Sequence, residues 1–142
     1  MMTVVIKLAD KEIILNKDLL KFDEHTINQF LQEFSSNYDS YCTHHADAQY
    51  IRSRFEDNYD AIYAERFLFH RGESTSDKTA EMKTKADKDV QDALEKVRIS
   101  KRNESVIWGF LRSMDKSHDD ALNFCYNLRK EMDKLSKDMI KY

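Results

Sequence analysis

Arginine and aromatic side chains are interleaved through residues 50–71, which read YIRSRFEDNYDAIYAERFLFHR. Guanidinium groups bind phosphates and stack on planar rings, and aromatic side chains stack with unpaired bases of any sequence, at about 1–3 kcal/mol for each base. The pattern therefore predicts a surface for single-stranded nucleic acid. Phe55, Tyr59 and Ile62 have the spacing of a helix core, so we expect them to pack. The candidates for binding lie outside that spacing or at its end: Arg54, Tyr63, Phe69, His70 and Arg71.

Lysines that follow this segment extend the candidate surface. Lys83, Lys85 and Lys88 come soon after it, and a further basic group lies at 96–102. Each group alone is typical of a solvated helix face, whereas together with the end of the first helix they can line one surface. The net charge of −3, with nine acidic residues and four arginines between 23 and 71, argues against indiscriminate binding of polyanions. We therefore expect a local site that an oligomer repeats.

Other kinds of chemistry find little support in the residue pattern. Cys42, His44 and His45 are zinc-type ligands, but neighbouring histidines on a helix point about 100° apart, and no second ligand pair follows at a familiar spacing. The chain has only two glycines, which is too few for a glycine-rich phosphate-binding loop or a dinucleotide-binding motif. No group of nucleophilic or acidic residues has the context of a catalytic site. We expect no catalysis, no metal and no cofactor, and we expect Cys42 and Cys125 to be free thiols in a reducing cytosol.

Two heptad repeats must position these residues. Mostly apolar side chains recur at alternating steps of four and three from Ile27 to Arg66 and again from Ile107 to Met139. Helices with this 3.5-residue spacing keep one face against a partner helix as they supercoil. The chain is therefore predicted to associate through helices, with itself or with others. The second repeat provides the predicted oligomerisation surface, which is formed by Ile107, Leu111, Met114, Ala121, Cys125, Leu128, Met132 and Leu135.

Four positions of the repeats carry polar side chains, at His45, Arg52, Arg66 and His118. Two interpretations are open at this point. Buried polar groups in a coiled coil cost stability but fix its register and the number of its helices. Alternatively, the assembly is open or ring-like, and these side chains face a groove instead of a dry core.

Composition indicates long helices, because the 142 residues contain no proline and two glycines. Residues 1–22 hold two β-branched runs around a polar turn, which predicts a small hairpin, with an irregular arm as the alternative. A long first helix is predicted for 23–71, with Asp23 as its N-cap and Gly72 as its stop. A break in this helix near His44 is an alternative. No apolar run approaches the length of a membrane span.

The remainder of the chain is predicted to hold a flexible linker at 72–78 and a C-terminal helical region at 79–142. Residues 100–105 are fully polar, and they form either a turn or a solvated part of one continuous helix, which we favour. The predicted fold is mainly α, a long antiparallel helical hairpin with a short N-terminal β-hairpin or arm. Its heptad repeats are expected to assemble it into a ring-like homo-oligomer.

Several short segments give the chain a family resemblance. They are AERFLFHRG at 64–72, EMKT at 81–84, ADKDV at 86–90, VIWGFL at 106–111 and an amphipathic helix from 121 to about 135. In this order they resemble the UvsY-like recombination mediators of T-even-type bacteriophages. The resemblance covers roughly 24–139 in architecture, and residues 1–22 have no counterpart that we can align.

This resemblance implies a specific function. Members of the family are small helical proteins without catalytic activity that bind single-stranded DNA as rings of six or seven subunits, in the cytoplasm of the infected bacterial host. They help a RecA-like recombinase to replace single-strand-binding protein. A basic and aromatic segment at the end of the first helix supports DNA binding, so the resemblance adds Arg66 to the site, and Phe69 and His70 match its aromatic positions. Ala64 stands where members can carry a basic residue, and the family's C-terminal helix builds the ring.

A second function from another class fits the same repeats. A structural coiled-coil adaptor or scaffold needs no nucleic-acid site, and the acidic net charge favours it. The two functions differ in one property that is simple to measure, because a mediator prefers single-stranded DNA and a scaffold ignores it.

Overall fold

The computed structural model describes residues 2–140, which fold into a small β-hairpin and three helices. The elements in chain order are β1 (Thr3–Lys7), β2 (Glu12–Asn16), a short 3-10 helix (Lys17–Leu20), α1 (Ile27–Glu73), α2 (Asp77–Ala86) and α3 (Lys88–Ile140). The mainly helical class is therefore confirmed, and so is the N-terminal hairpin. Helices dominate because almost no residue of the chain interrupts them.

The β-hairpin is stable because one of its faces packs on the helices. Strands β1 and β2 are antiparallel, with Ile6 opposite Ile13, and both of these side chains are buried. The hydroxyl of Tyr41 on α1 donates a hydrogen bond to the carbonyl oxygen of Ile14 at 2.8 Å and accepts one from the backbone N–H of Asn16 at 3.3 Å. A two-stranded hairpin alone is marginal in water, so this docking is what supports it.

Helices α1 and α3 run antiparallel, and their heptad repeats face each other inside one chain. The ring of Tyr41 lies 4.7 Å from that of Phe110, and the ring of Phe34 stacks on His118 at 4.2 Å between centroids. The chain reverses direction at α2, so residues early in α1 pack against residues in the later part of α3. The core formed here contains Ile6, Leu8, Ile13, Leu15, Tyr41, Ala48, Ile107, Phe110, Leu111 and Met114.

The predicted start and end of the first helix differ slightly from the structure. Asp23 and Thr26 bond reciprocally: the Asp23 carboxylate accepts from the Thr26 N–H and the Thr26 hydroxyl accepts from the Asp23 N–H, each at 2.9 Å. This capping arrangement forms one turn ahead of the helix, and α1 itself begins at Ile27. Gly72 does not stop α1, which continues to Glu73 without a break near His44.

The connection between the first two helices is shorter than the linker predicted at 72–78. Only residues 74–76 separate α1 from α2. The hydroxyl of Ser76 caps α2 by accepting from the backbone N–H of Thr79 at 3.2 Å. The polar composition that suggested a flexible linker therefore reflects helix capping.

The C-terminal helical region is broken at Asp87, whose extended backbone separates α2 from α3. Helix α3 then runs through 100–105 without a turn. The favoured prediction of one continuous helix through this stretch is therefore confirmed. Lys101, Arg102 and Ser105 are exposed to solvent there, whereas Ser100 is buried and the side-chain amide of Asn103 donates to the Lys7 carbonyl oxygen at 3.1 Å. Glu104 also faces α1, where it pairs with Arg52.

The second heptad repeat divides into two parts with different surroundings. Ile107, Leu111, Met114 and Ala121, which the sequence assigned to subunit contacts, are at most 2% exposed within the single chain. Helix α1 covers them, because both repeats belong to one antiparallel hairpin. Phe124 contacts Phe22, at 6.0 Å between ring centroids, and Cys125 and Leu128 after it are half-buried. Every residue of 129–140 is exposed, and we name this segment the α3 extension.

Within the described range of the chain, no helix combines the length and the apolar character that crossing a membrane requires.

Candidate nucleic-acid interface

Asp87 joins the end of α1 to the start of α3. One carboxylate oxygen, Oδ1, accepts from the backbone N–H of Asp89 at 2.9 Å, and the Asp87 carbonyl oxygen accepts from the N–H of Gln91 at 3.0 Å. Asp87 therefore caps α3, where the helix dipole also favours its negative charge. These bonds fix the carboxylate at the junction of the two helices.

The other oxygen of this carboxylate binds two of the predicted DNA-binding residues. Nε of Arg66 donates to Oδ2 of Asp87 at 2.7 Å, and Nε2 of His70 lies 2.9 Å from the same oxygen. An ionised carboxylate only accepts, so Nε2 carries the proton in this contact. We name Asp87, Arg66 and His70 the Asp87 cluster. The Asp87 side chain is 8% exposed, and its two α1 partners are 28% (Arg66) and 15% (His70) exposed.

The partners of Asp87 stabilise its charged form. The hydrogen bond from His70, followed by that from Arg66, lowers the pKa of Asp87 from 3.8 to about 2, against the opposing effect of burial. The same contact raises the pKa of Arg66 further above neutrality. The carboxylate and the guanidinium are therefore both charged at any physiological pH.

Arg66 also stacks on an aromatic ring. Its guanidinium carbon lies 4.4 Å from the centre of the Phe69 ring, within the range of a cation–π interaction. The Phe69 side chain remains 49% exposed. Only Nε of Arg66 donates to another part of residues 2–140, and the two terminal nitrogens make no hydrogen bond there. An exposed ring and an available guanidinium edge thus lie side by side.

Arg71 is placed near this cluster but has a different partner. Its Nε donates to Oδ1 of Asp77 at 2.5 Å, and its Nη1 donates to the carbonyl oxygen of Ser74 at 2.9 Å. These bonds close the short connection between α1 and α2. The Arg71–Asp77 ion pair is exposed, so it contributes little to the stability of the fold. A phosphate can therefore replace Asp77 as the partner of Arg71 at little cost.

The three lysines predicted to bind DNA lie close to Asp87 in the sequence. Lys83 and Lys85 lie at the end of α2, and Lys88 is the first residue of α3. Ala80 and Thr84 are buried, so that face of α2 packs inward and the three lysines are exposed. None of the three forms an ion pair with any residue that the structure describes between 2 and 140.

The two remaining predicted residues lie apart from this group. Arg54 lies beside the hairpin turn, lining a surface pocket with Asp10, and its guanidinium is 5.9 Å from the ring centre of Tyr50. At about 1.5 Å per residue, Arg54 is about 18 Å along α1 from Arg66. Tyr63 is half-buried, with its ring 6.1 Å from that of Tyr59. The structure therefore does not join Arg54 to the cluster.

A second acid on α3 also faces an arginine and a histidine of α1. Glu104 lies 2.5 Å from Nη1 of Arg52 and 3.9 Å from Nε2 of His45. These side chains line an open groove of about 450 Å³ with Trp108, which is 49% exposed. Within the single chain, Arg52 pairs with Glu104 across the two helices, His45 lies near the same carboxylate, and both line the groove. The two interpretations of these residues in an assembly stay predictions.

Sequence reasoning missed Asp87 as a residue of the site. Its signal was present, because an aspartate before Lys88 and Asp89 is typical of an N-cap. The weak apolar periodicity of this region hid the break.

Between residues 2 and 140 no group of three or more His, Cys, Asp or Glu side chains is arranged to hold a metal ion, and Cys42 and Cys125 are free.

No protein-family model, no curated protein and no solved structure matches this chain. Function is therefore inferred from the arrangement of these side chains and from the resemblance that the sequence carries.

Proposed function

We propose that this chain is a recombination mediator, which binds single-stranded DNA as a homo-oligomer and helps to load a RecA-like recombinase in place of single-strand-binding protein. The DNA site lies around the Asp87 cluster and includes Phe69, Arg71 and the exposed lysines of α2 and α3. The site has no catalytic role, since its task is to hold an extended strand. The resemblance to UvsY-like mediators supplies the recombination pathway, the recombinase and single-strand-binding partners, and the cytoplasm of an infected bacterium as the place.

The observation that carries the proposal is the position of the Arg66 guanidinium 4.4 Å above the half-exposed ring of Phe69. A stacked arginine and aromatic ring provide the two contacts that unpaired nucleotides use, a phosphate partner and a stacking surface. Duplex DNA keeps its bases stacked inside, so only its phosphates are available to such a site. Preference for the single strand follows from this difference.

Assembly is supported by the α3 extension. Met132 and Leu135 are 68% and 63% exposed, and Leu128 before them is half-buried, in the spacing of the second heptad repeat. A single chain offers nothing to cover this apolar face among residues 2–140, whereas a second helix with the same repeat does. The resemblance suggests six or seven subunits.

Repetition of a weak site explains how an acidic protein binds DNA. The proposed site of each subunit offers few cations, namely Arg66, Arg71 and the three exposed lysines, but a strand that crosses several subunits gains from the high effective concentration of each next site. The mediator then competes with single-strand-binding protein through many contacts instead of one tight contact.

The scaffold remains the second candidate, and one observation favours it. Arg66 and His70 are already paired with Asp87, and Arg71 with Asp77, so three predicted DNA contacts also have structural partners. A scaffold uses these pairs only to join its helices. It shares the α3 extension with the mediator and differs from it in ignoring DNA.

Fluorescence anisotropy of a labelled oligothymidine tests the proposal. We expect salt-sensitive binding that is stronger for the oligothymidine than for a duplex of equal length. Arg66→Ala should weaken it and lower the slope of log K against log salt by about 0.7 for each subunit that contacts the strand. Arg112→Ala is the matched control, because this exposed arginine on α3 has no ion pair among the described residues. Absence of binding at low salt would favour the scaffold.

A further inference from the structure

Arg66 is held at two points before any ligand arrives. Its Nε edge is hydrogen-bonded to Asp87, and its planar face lies over Phe69. Asp87 is itself held by the backbone N–H of Asp89 at the start of α3. Arginine side chains have many rotamers, and binding a strand with a mobile one loses that freedom. A guanidinium that is already fixed loses less when it binds.

The contact with Asp87 occupies only one edge of the guanidinium. Nε donates to the carboxylate, whereas the terminal nitrogens are left without hydrogen-bond partners among residues 2–140. These terminal nitrogens form the fork that pairs with phosphate oxygens. The carboxylate therefore orients Arg66 without covering the edge that a phosphate needs.

We infer that Asp87 is a positioning residue for single-stranded DNA, which holds the Arg66 guanidinium on Phe69 with its fork directed to a backbone phosphate. The inference rests on the function proposed above and deepens it by naming a residue that does not touch the strand. It also gives the Asp87 cluster a role beyond joining α1 to α3.

His70 contributes to the same arrangement from the second side. It donates to the oxygen of Asp87 that Arg66 uses, and its ring lies 5.3 Å from that of Phe69 between centroids. The carboxylate is thus fixed by two donors of α1 and by one backbone donor of α3. This rigidity is what a positioning group requires.

The variant Asp87→Asn tests the inference. Asparagine caps a helix as well as aspartate does, so the bond to the Asp89 N–H is kept. Its side-chain amide then directs a donor toward Arg66 and His70, and the contact that orients Arg66 is lost. We expect affinity for oligothymidine to fall about two- to tenfold, which is the lower part of the range of coupling between residues in contact.

The sign of this change separates positioning from simple electrostatics. Removing a negative charge from a protein normally strengthens its binding to a polyanion. A weaker complex after Asp87→Asn is therefore the opposite of the electrostatic effect. Asp89→Asn is the matched control, since it removes an equal charge two residues away and leaves the bonds to Arg66 intact; we expect its affinity to be unchanged or slightly higher.

A double-mutant cycle shows whether Asp87 acts through Arg66. If it does, Asp87→Asn combined with Arg66→Ala binds no more weakly than Arg66→Ala alone. Circular dichroism and oligomeric mass, measured on every variant, show that the fold and the assembly are retained. A purely structural role of Asp87 would lower the melting temperature without this coupling.

Three outcomes would overturn the inference while leaving the proposed function in place. Asp87→Asn could bind the oligothymidine more tightly, which would make Asp87 a competitor of phosphate, or it could bind with unchanged affinity. The third outcome is that the losses of affinity from Asp87→Asn and Arg66→Ala add in the double variant. Failure of the unaltered protein and of the Arg112→Ala control to bind at low salt would instead remove the proposed function and this inference with it.

Discussion

The two parts of the second heptad repeat have the same pattern and opposite surroundings. Between Ile107 and Ala121 the repeat is buried against α1, and Ile107 itself is 0% exposed. From Met132 to Met139 the repeat is open, and Met139 is 78% exposed. Both parts lie on one uninterrupted helix, so the difference comes from what lies opposite and not from the helix.

This comparison shows what a heptad repeat specifies. The spacing of apolar residues determines that a helix face will be covered, but not whether the covering helix belongs to the same chain. Here the first repeat is long enough to cover the second only as far as about Cys125. The same signal therefore encodes the core of the hairpin in one part and, as we propose, the subunit contact in the other.

The largest difference between the two parts should appear in the stability of the chain. Ile107→Ala leaves a cavity in the core, and we expect a loss of about 2–5 kcal/mol in the free energy of unfolding. Leu135→Ala, at a position that is 63% exposed, should cost under about 1 kcal/mol when the protein is dilute. Urea denaturation followed by circular dichroism measures both. Equal losses would contradict the division of α3.

The second difference should appear in assembly. Replacing the half-buried Leu128 and the exposed Leu135 with aspartate puts charges on the apolar face of the repeat, so we expect the proposed oligomer to dissociate to monomers that keep their helical content. Light scattering coupled to size-exclusion chromatography measures the mass. Lys130→Ala combined with Lys137→Ala changes the net charge equally on the opposite face and should leave the mass unchanged. Persistence of the oligomer in the aspartate variant would refute the extension as the contact.

Hydrogen exchange should sharpen the comparison at the level of single amides. Amides of the α3 extension have no tertiary contacts to slow their opening, so in dilute protein they should exchange much faster than those of 107–121. Raising the protein concentration should slow exchange in the extension only, because the proposed assembly would cover it. Equal protection of both segments at low concentration would show that the extension is stable without a partner.

The smallest predicted effect concerns acid. The pKa of Asp87 is lowered from 3.8 to about 2 in the folded protein, chiefly by His70 and Arg66. A lowered pKa stabilises the fold above the unfolded value, so this contribution is complete above about pH 4 and is lost as pH falls toward 2. Unfolding free energies across that range should therefore decline less in Asp87→Asn than in the unaltered protein. Parallel declines would assign the acid sensitivity to other carboxylates.

The sequence predicted the long-range features of the fold better than its junctions. Scarce glycine, absent proline and the 3.5-residue spacing are signals spread over many residues, so they indicated the long antiparallel helices reliably. The hairpin followed from two short β-branched runs. The ends of α1 and the break at Asp87 depend on single capping side chains, and local composition at Gly72 and 72–78 suggested a stop and a linker that the structure does not have.

The candidate site was predictable in its residue types but not in its contacts. Arg66, Phe69 and His70 stand close together in sequence, so their grouping at the end of α1 followed from helical spacing. Their partner Asp87 is 21 residues from Arg66, and only the turn through α2 brings them together. Residue type alone grouped Arg54 with them, although it lies about 18 Å from Arg66 along α1.

The central claim is that the open part of the heptad repeat assembles weak sites into one that holds single-stranded DNA. The most direct measurement is an anisotropy titration of a labelled oligothymidine with the unaltered protein and with the variant that carries aspartate at Leu128 and Leu135. We expect salt-sensitive binding by the unaltered protein and a loss of at least about a hundredfold in the dissociated variant, because multivalency supplies that factor. Equal affinity of the two proteins, or no binding by either, would contradict the claim.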